Sequence, residues 1–440
     1  MENIQDKQVH IVNLAVCASL QAFNEYSART LNCRRDIVQA IRLKLRPYLQ
    51  EIAEREYAET CMGNVRDKVI KLVLALDKTP GVEDLVSEVV TGDNGMTLHE
   101  YAPYGVVLAI HPATNPCATM INNVIGMLAA GNAVINVPNP RCMETAQYLT
   151  EKINEAIEEA SGLKNLVITL PEVRGELVTE IINHPDVALV VATGGRKMMN
   201  QALCSPKRVI AGGPGNPVAI VDETADLEKA ARDITDGASF DNNIMCISEK
   251  CIVAVESILP EFVMQLEANG AYYIDNEEEM VKITKAVLNC DMKMIRKMEG
   301  KSAMEILQEA GIHTSRHVRL IVVRTFSKHP LVLEECLMPV VPLVAAADFK
   351  EALDTALFTE QGYRHTAMMH SQSIDRLCEA AKVMNTTVFI KNGSSLAGIG
   401  LNGEEKASFT IANMTGEGVT TARDFACKRS CTLTSGFSIR

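Results

Sequence analysis

The chain has 440 residues and a net charge of −12, from 43 Lys and Arg against 55 Asp and Glu. At 47% hydrophobic and 22% charged it has ordinary globular composition, which excludes wholesale disorder. Its length suits roughly two to three domains of about 150 residues, needing no disulfide or metal staple, and the acidic balance argues against a general nucleic-acid binder.

The first 85 residues read as helical. Val38, Ile41, Leu45 and Leu49 recur at three- and four-residue spacing, as one buried helix face requires. Thr79-Pro80-Gly81 reads as a turn. Val89 to Gly105 holds turn residues around Gly92-Asp93-Asn94-Gly95, flanked by extended segments, and predicts a hairpin or projecting arm. From Gly105 the pattern alternates. Val106–Ile110, Ala133–Val137, Leu166–Thr169, Val187–Ala192 and Arg208–Ile210 are short apolar runs suited to buried strands. Helical stretches separate them: Cys117–Ala130, Met143–Ala160, Glu172–Asn183 and Lys197–Leu203. This alternation predicts βαβ units and a parallel sheet, whose strands are buried on both faces.

A second series runs through Val218–Val221, Lys250–Val255, Leu320–Val323, Val341–Ala345, Thr366–Met369 and Thr387–Ile390, and predicts a second α/β domain. The stretch from Leu401 is rich in Gly, Thr and Ser. It is expected to be extended and to return to the earlier arm.

Thirteen cysteines without a repeating spacing fit a reducing, cytoplasmic compartment. Met1 to His10 is polar and lacks the apolar stretch of a secretory signal. The nearest approach to a membrane span, Cys336–Ala347, is broken by Pro339 and Pro342, so none is expected. No metal motif is evident, because Cys427 and Cys431 lack a second pair.

Thr193-Gly194-Gly195 follows a strand and precedes a helix. It suits either a phosphate-binding turn or an ordinary tight βα turn. Gly398 to Gly403 matches G-x-G-x-x-G, but a polar segment follows instead of an apolar helix, so a dinucleotide fingerprint is not expected there. Gly300-Lys301-Ser302 lacks the first glycine of a P-loop, with Ile295 in its place. Cys246 follows the polar residues Asp241, Asn242 and Asn243, which suits a loop, but composition alone does not single it out from the other cysteines.

At these residues the chain resembles the aldehyde dehydrogenase superfamily. Within it, the chain is similar to the CoA-acylating acetaldehyde and propionaldehyde dehydrogenases of bacterial ethanolamine and propanediol microcompartments. The likeness covers nearly the whole chain. Its anchors are Thr79-Pro-Gly-Val-Glu-Asp84, Thr114-Asn-Pro116, Met127-Leu-Ala-Ala-Gly-Asn132, Gly215-Asn-Pro217, Ser239-Phe-Asp-Asn-Asn243, Cys246-Ile-Ser-Glu-Lys250, Lys391-Asn392, Thr415-Gly-Glu-Gly418 and Gly436-Phe-Ser-Ile-Arg440.

The resemblance implies an aldehyde dehydrogenase-like α/β fold with two Rossmann-like three-layer domains and a β oligomerisation arm. On this basis residues 1–88 and 105–211 form the nucleotide-binding domain and 212–400 the catalytic domain. Residues 89–104 and 401–440 form the arm and the C-terminal return. The resemblance puts Cys246 on the nucleophile and Asn115 on the side-chain donor of the oxyanion hole. Glu335 falls on the carboxylate that holds the nicotinamide ribose, and Thr193, Gly194 and Gly195 on the turn beside the cofactor pyrophosphate. The implied cofactors are NAD and coenzyme A, and the implied substrate is a short aliphatic aldehyde. The implied assembly is a homo-oligomer, a dimer or tetramer, with microcompartment cargo or shell association as a further implication.

Hydrolytic relatives carry a water-activating Glu about 35 residues before the nucleophile, and Ala211 stands at that place here. Ala accepts no proton, so coenzyme A, whose thiol is far more acidic than water, is the expected acyl acceptor. A hydrolytic or acyl-phosphate-forming relative, or a degenerate paralogue with an assembly role, are the alternatives. The chain departs from the family at Arg196-Lys197, which oppose the dipole at a helix start unless a phosphate binds between them. It departs again at Val137-Pro-Asn-Pro-Arg141 and in Gly212-Gly-Pro-Gly215. Neither end shows the linker and amphipathic helix of a microcompartment tag, so tagged encapsulation is not expected.

Overall fold

The computed structural model describes residues 4–173, 175–436 and 439. Residues 1–3 of the N-terminal stretch, and Phe437, Ser438 and Arg440 of the closing motif, lie outside the described residues, as does Arg174.

In chain order the structure begins with four helices, α1 (Ile4–Ser27), α2 (Leu31–Leu45), α3 (Leu49–Thr60) and α4 (Val65–Lys78). A hairpin of β1 (Glu88–Gly92) and β2 (Gly95–Pro103) follows. Next come β3 (Val106–Ile110), α5 (Pro116–Ala129), β4 (Ala133–Val137), α6 (Met143–Ser161), β5 (Val167–Thr169) and α7 (Gly175–Asn183). The first series closes with β6 (Val187–Thr193), α8 (Arg196–Leu203) and β7 (Arg208–Gly212). The second series is β8 (Val218–Val221), α9 (Leu227–Ser239), β9 (Cys251–Val255), α10 (Leu259–Ala268), β10 (Ala271–Ile274), α11 (Glu277–Val287) and α12 (Ala303–Glu309). It continues with β11 (Leu320–Thr325), α13 (Pro330–Leu333), β12 (Val340–Ala346), α14 (Phe349–Glu360), β13 (Thr366–His370), α15 (Ile374–Met384) and β14 (Val388–Lys391). The two-residue strands β15 (Ile411–Ala412) and β16 (Gly418–Val419) and the long β17 (Ala426–Thr434) complete it.

The chain divides into two compact units. Residues 1–59, 71–212 and 406–440 form the first, and residues 60–70 and 213–405 the second. Each holds one all-parallel sheet: five strands in the order β5-β4-β3-β6-β7 in the first, and seven in the order β10-β11-β12-β9-β8-β13-β14 in the second. Residues 60–70, assigned from sequence to the nucleotide-binding domain, cluster instead with the second unit. The hairpin clusters with the first unit, as does the C-terminal return from Lys406, while residues 401–405 fall in the second. A physical reason for the first difference lies in α4, where Asp67 and Lys68 bind the loop after α9.

The helix face predicted in α2 is buried, and the Thr30 hydroxyl accepts from the Cys33 N–H to cap it. Val106–Ile110 and Ala133–Val137 are buried throughout, as strands covered on both faces must be. β17 pairs antiparallel with β2 along its length, from Ala426 opposite Pro103 to Thr434 opposite Gly95, so the C-terminal segment does return to the hairpin. The rest of the stretch from Leu401 is mostly bends, turns and irregular backbone, not extended strand. β10 was not foreseen. It is four residues long and buries only its end positions, a pattern too short to stand out in sequence. No helix follows Gly398–Gly403, in keeping with its rejection as a fingerprint.

Candidate active site

In the first unit, β4 and β5 extend the sheet to one side of β3, and β6 and β7 to the other. Connections therefore diverge between β3 and β6. Open α/β sheets bind ligands in the crevice such a divergence leaves, beyond the carboxyl ends of the strands. Asn115 ends the segment after β3, and Thr193 ends β6. Both sequence-predicted groups of this unit therefore lie at this switch point.

Asn115 is the N-cap of α5, with Pro116 in the first helical position, where its missing N–H costs nothing. The side chain is buried, and it does not cap its own helix. Its Oδ1 instead accepts a 2.6 Å hydrogen bond from the Lys71 ammonium, which also lies 3.5 Å from the Thr114 carbonyl oxygen. Asn115 Nδ2 makes only a long contact of 3.5 Å to Thr114 Oγ1. Close by in sequence, His111 is buried at the end of β3 and held neutral, its pKa pushed down by burial to about 4. Its Nε2 bonds Asn136 Oδ1 at 2.8 Å, and its Nδ1 is buried without a partner.

Across the switch point, the Thr193 hydroxyl bonds that of Thr410 at 2.9 Å. Gly195 is the N-cap of α8 and brings no capping side chain. A Cβ on Gly195 would meet nothing within 4 Å, so the turn opens onto free space. Arg196 and Lys197 are exposed in the first turn of α8. Ala211, on β7, is fully buried within the apolar cluster of this unit.

The second unit builds its candidate site at the opposite edge of its sheet. Its central strands are ordered β12-β9-β8-β13. The residues that lead into their amino ends are Glu335, Cys246 to Lys250, Gly215 to Pro217, and His365. Cys246 is partly exposed. Burial and the Glu335 carboxylate push its thiol up to about 12, while Lys250 and the N–H groups of Cys246 and Ile247 oppose that rise. Burial also raises Glu335 above the usual carboxylate range, against the pull of Lys250 and of a hydrogen bond from the Gly215 N–H. Lys250 is buried and its pKa is lowered by desolvation, with Glu335 and Cys246 working the other way. The structure thus brings Cys246, Glu335 and Lys250 into one electrostatic cluster.

The loop that carries the thiol is held by its own side chains. Asp241, Asn242 and Asn243 all have left-handed φ, at 46°, 54° and 60°, a rare run for non-glycine residues. Asn243 Nδ2 donates to the carbonyls of Ala238 and Glu249, at 2.8 and 2.9 Å. Lys250 Nζ donates to the Asn243 carbonyl at 2.6 Å and to Asn243 Oδ1. Asp241 accepts from the Asn64 N–H at 2.7 Å and from Lys68 at 3.4 Å, in an ion pair buried on both sides. Asp241 Oδ1 approaches Gly63 so closely that a Cβ there would sit 1.9 Å from it, and Gly63 also has a φ of +72°, so a side chain is excluded on both counts. The Glu249 carboxylate accepts from the Ser395 N–H and hydroxyl, at 2.9 and 2.7 Å.

Sequence reasoning missed Lys71, Lys250, His365 and the Lys68–Asp241 pair. His365 is buried against Gly215 and its pKa is lowered to about 4 by burial and by Lys250. The available signal was the spacing of Lys68 and Lys71 within an otherwise apolar stretch of α4, and Lys250 leading into an apolar strand. Lysines in such settings must be desolvated and paired. Among the described residues no group of three or more His, Cys, Asp or Glu could hold a metal, and no helix is long and apolar enough to cross a membrane.

Comparison with known proteins shows what the chain as a whole is similar to. The model of the aldehyde dehydrogenase family matches residues 1–413. The propanal dehydrogenase (CoA-propanoylating) of Citrobacter freundii is 44% identical over 430 residues, covering 98% of this chain and 93% of the relative. The crystal structure of Rhodopseudomonas palustris propionaldehyde dehydrogenase with bound propionyl-CoA superposes with a TM-score of 0.96 at 41% identity, covering 98% of this chain and 95% of the other. The propionaldehyde dehydrogenase from the fucose utilisation microcompartment of Clostridium phytofermentans gives a TM-score of 0.95 at 38% identity, covering 98% of both chains.

Proposed function

The chain belongs to the aldehyde dehydrogenase family, and we propose that it is a CoA-acylating aldehyde dehydrogenase of short aliphatic aldehydes, with propionaldehyde or acetaldehyde as substrate. Its reaction takes an aldehyde, NAD+ and coenzyme A to an acyl-CoA, NADH and a proton.

The observation that carries the acylating reading is position 211. Its side chain is fully buried in an apolar cluster, and Ala has no proton-accepting group. A carboxylate there would be desolvated without a partner. The residues of this chain therefore offer no base at that position to activate water, and deacylation falls to a better nucleophile.

The residues fit the nucleotide. Gly194-Gly195 leave room for a pyrophosphate, and the start of α8, which no side chain caps, faces it with helix N–H groups. His111 Nδ1 offers a buried acceptor at the same sheet edge. Glu335 is assigned the ribose hydroxyls, which an ionised carboxylate accepts. When bound, NAD supplies the hydride acceptor and coenzyme A the thiol that takes the acyl group.

Cys246 attacks the aldehyde carbon as thiolate, forming a C–S bond and placing negative charge on the carbonyl oxygen. Asn115 Nδ2 and the Cys246 N–H are the donors for that charge. Expulsion of hydride from that carbon to a bound nucleotide would leave a thioester on Cys246, and attack by the coenzyme A thiol would form the new C–S bond as the bond to Cys246 breaks, regenerating its thiolate. Lys250 supplies a buried positive charge that favours the thiolate over the thiol.

The arm sheet of β1, β2 and β17, with Val89 and Val90 exposed, supports the homo-oligomer reading. Packaging in a microcompartment is proposed from the origin of the Clostridium relative.

The test is NADH formation from propionaldehyde with and without coenzyme A, with the acyl product identified by mass. Turnover only with coenzyme A, ending in propionyl-CoA, is expected. Equal turnover without it, ending in free acid, would refute the acylating assignment.

A further inference from the structure

We infer that Lys71 is a positioning residue that sets which end of the Asn115 side chain faces the reacting oxygen; this rests on the proposed role of Asn115 in the oxyanion hole.

The two ends of an asparagine amide are nearly the same size and shape but opposite in function. The NH2 end donates and the oxygen only accepts. A flipped amide would set a carbonyl oxygen against the developing oxyanion and turn stabilisation into repulsion. Nothing in the shape of a pocket distinguishes the two states, so the choice must come from a hydrogen-bond partner. Lys71 provides it. An ammonium has three donors and no acceptor, so it can bind Oδ1 but never Nδ2. The bond is 2.6 Å and charge-assisted, and both side chains are buried. With Oδ1 committed to Lys71, Nδ2 is directed the other way. There its only hydrogen bond among the described residues is the long one to Thr114, at the limit of hydrogen bonding.

The placement has a backbone basis. Asn115 lies outside the helix it begins, so rotation about its side-chain bonds is not restricted by a preceding helical turn. Lys71 lies within α4 and also reaches the Thr114 carbonyl, so one ammonium braces the Asn115 amide and the backbone before it. Pulling electron density toward Lys71 also makes the Nδ2 hydrogens better donors. The positive charge thus acts on the oxyanion through the amide, without touching the substrate.

The experiment compares Lys71→Met, Lys71→Gln and Lys71→Arg with Asn115→Ala, alone and with each Lys71 variant combined with Asn115→Ala, in the full-length enzyme. Gln and Arg retain a donor toward Oδ1, whereas Met retains only the stem. Lys71→Met is expected to lower kcat at least about tenfold, short of the roughly 10²–10³-fold loss of the donor itself, with the aldehyde KM unchanged. Lys71→Arg and Lys71→Gln should recover part of that loss. In the Asn115→Ala background, Lys71→Met should change kcat by less than about twofold, because the group it orients is gone.

A Lys71→Met loss that persists undiminished in the Asn115→Ala background would overturn the inference in favour of a structural role. So would a kcat within about twofold of wild type. If Lys71→Met does not fold, judged by its thermal transition, the same cycle on Lys71→Gln against Lys71→Arg decides, since a positioning role makes their difference vanish with Asn115→Ala. An Asn115→Ala enzyme with undiminished kcat would instead sink the oxyanion assignment, a failure distinct from an impaired Asn115→Ala enzyme with an indifferent Lys71.

Discussion

The two sheets of this protein use opposite edges. The first unit presents Asn115 and the Thr193–Gly195 turn beyond the carboxyl ends of β3 and β6, where helices α5 and α8 begin. The second gathers Cys246, Lys250 and Glu335 ahead of the amino ends of β9 and β12. The difference has electrostatic consequences. Helix starts offer N–H donors and positive dipole, so the first edge suits donation to anions, with the Lys71 ammonium acting there through the Asn115 amide. The second edge has no such supply. Its cation is a buried lysine, held by the backbone carbonyl and side-chain oxygen of Asn243. The first edge binds with helix-start N–H groups and with the Asn115 amide that Lys71 holds, whereas the second reacts with a thiol beside charged side chains that the fold must hold desolvated.

That division predicts unequal damage. The largest effect is expected at the thiol. Cys246→Ala should lower NADH formation by at least about 10⁴-fold, since a covalent step has no substitute, and intact-protein mass should show no acyl adduct. Next comes the scaffold of the same edge. Lys68→Met removes the ammonium that pairs with the buried Asp241 side chain, and breaking a buried pair in this way typically costs about 3–5 kcal/mol. A lowered denaturation midpoint at unchanged slope would record it. A loss under about 1 kcal/mol would mean that the left-handed run at Asp241–Asn243 is held by its hydrogen bonds to Asn64, Gly63 and Gly300 instead. At the first edge, Asn115→Ala should reduce kcat by roughly 10²–10³-fold while leaving the thiol free to be alkylated, because one donor is lost and the thiol's own unit is untouched.

How much of this was readable in advance follows the same line. The strands were legible because each is a short, continuous apolar run, and the buried face of α2 because its spacing is local. The hairpin was legible from four turn residues, and its partner β17 from the need of a Ser- and Thr-rich segment for something to pair with. The candidate residues came from resemblance. What stayed hidden depends on burial created by distant segments. Lys68, Lys71 and Lys250 are each nearly inaccessible to solvent, yet lysine in a sequence reads as surface. The fate of residues 60–70 was hidden for the same reason, since Asn64 and Asp67 pair with Asp241 at sequence separations of 177 and 174.

The smallest effect is the most discriminating, because it separates the charges within the second edge. Glu335 raises the Cys246 thiol pKa and Lys250 lowers it. Removing the carboxylate charge by Glu335→Gln should therefore lower the thiol pKa and speed alkylation of Cys246 by iodoacetamide at pH 8, by several-fold up to about tenfold per pKa unit, read by peptide mass. Lys250→Met should slow it. The same carboxylate sets a pH dependence. Its pKa is raised in the fold, so it stays protonated above the ordinary value of about 4.3. Its contribution to stability is complete below that value and is lost as pH rises through the folded-state pKa. Affinity for NAD should move in the opposite sense, since only the ionised form accepts from both ribose hydroxyls. The KM for NAD should fall as pH rises through that range in the wild type and stay flat in Glu335→Gln. If Glu335→Gln leaves both the alkylation rate and the pH profile unchanged, the charge at the second edge is screened, and the thiol is governed by burial and backbone N–H groups alone.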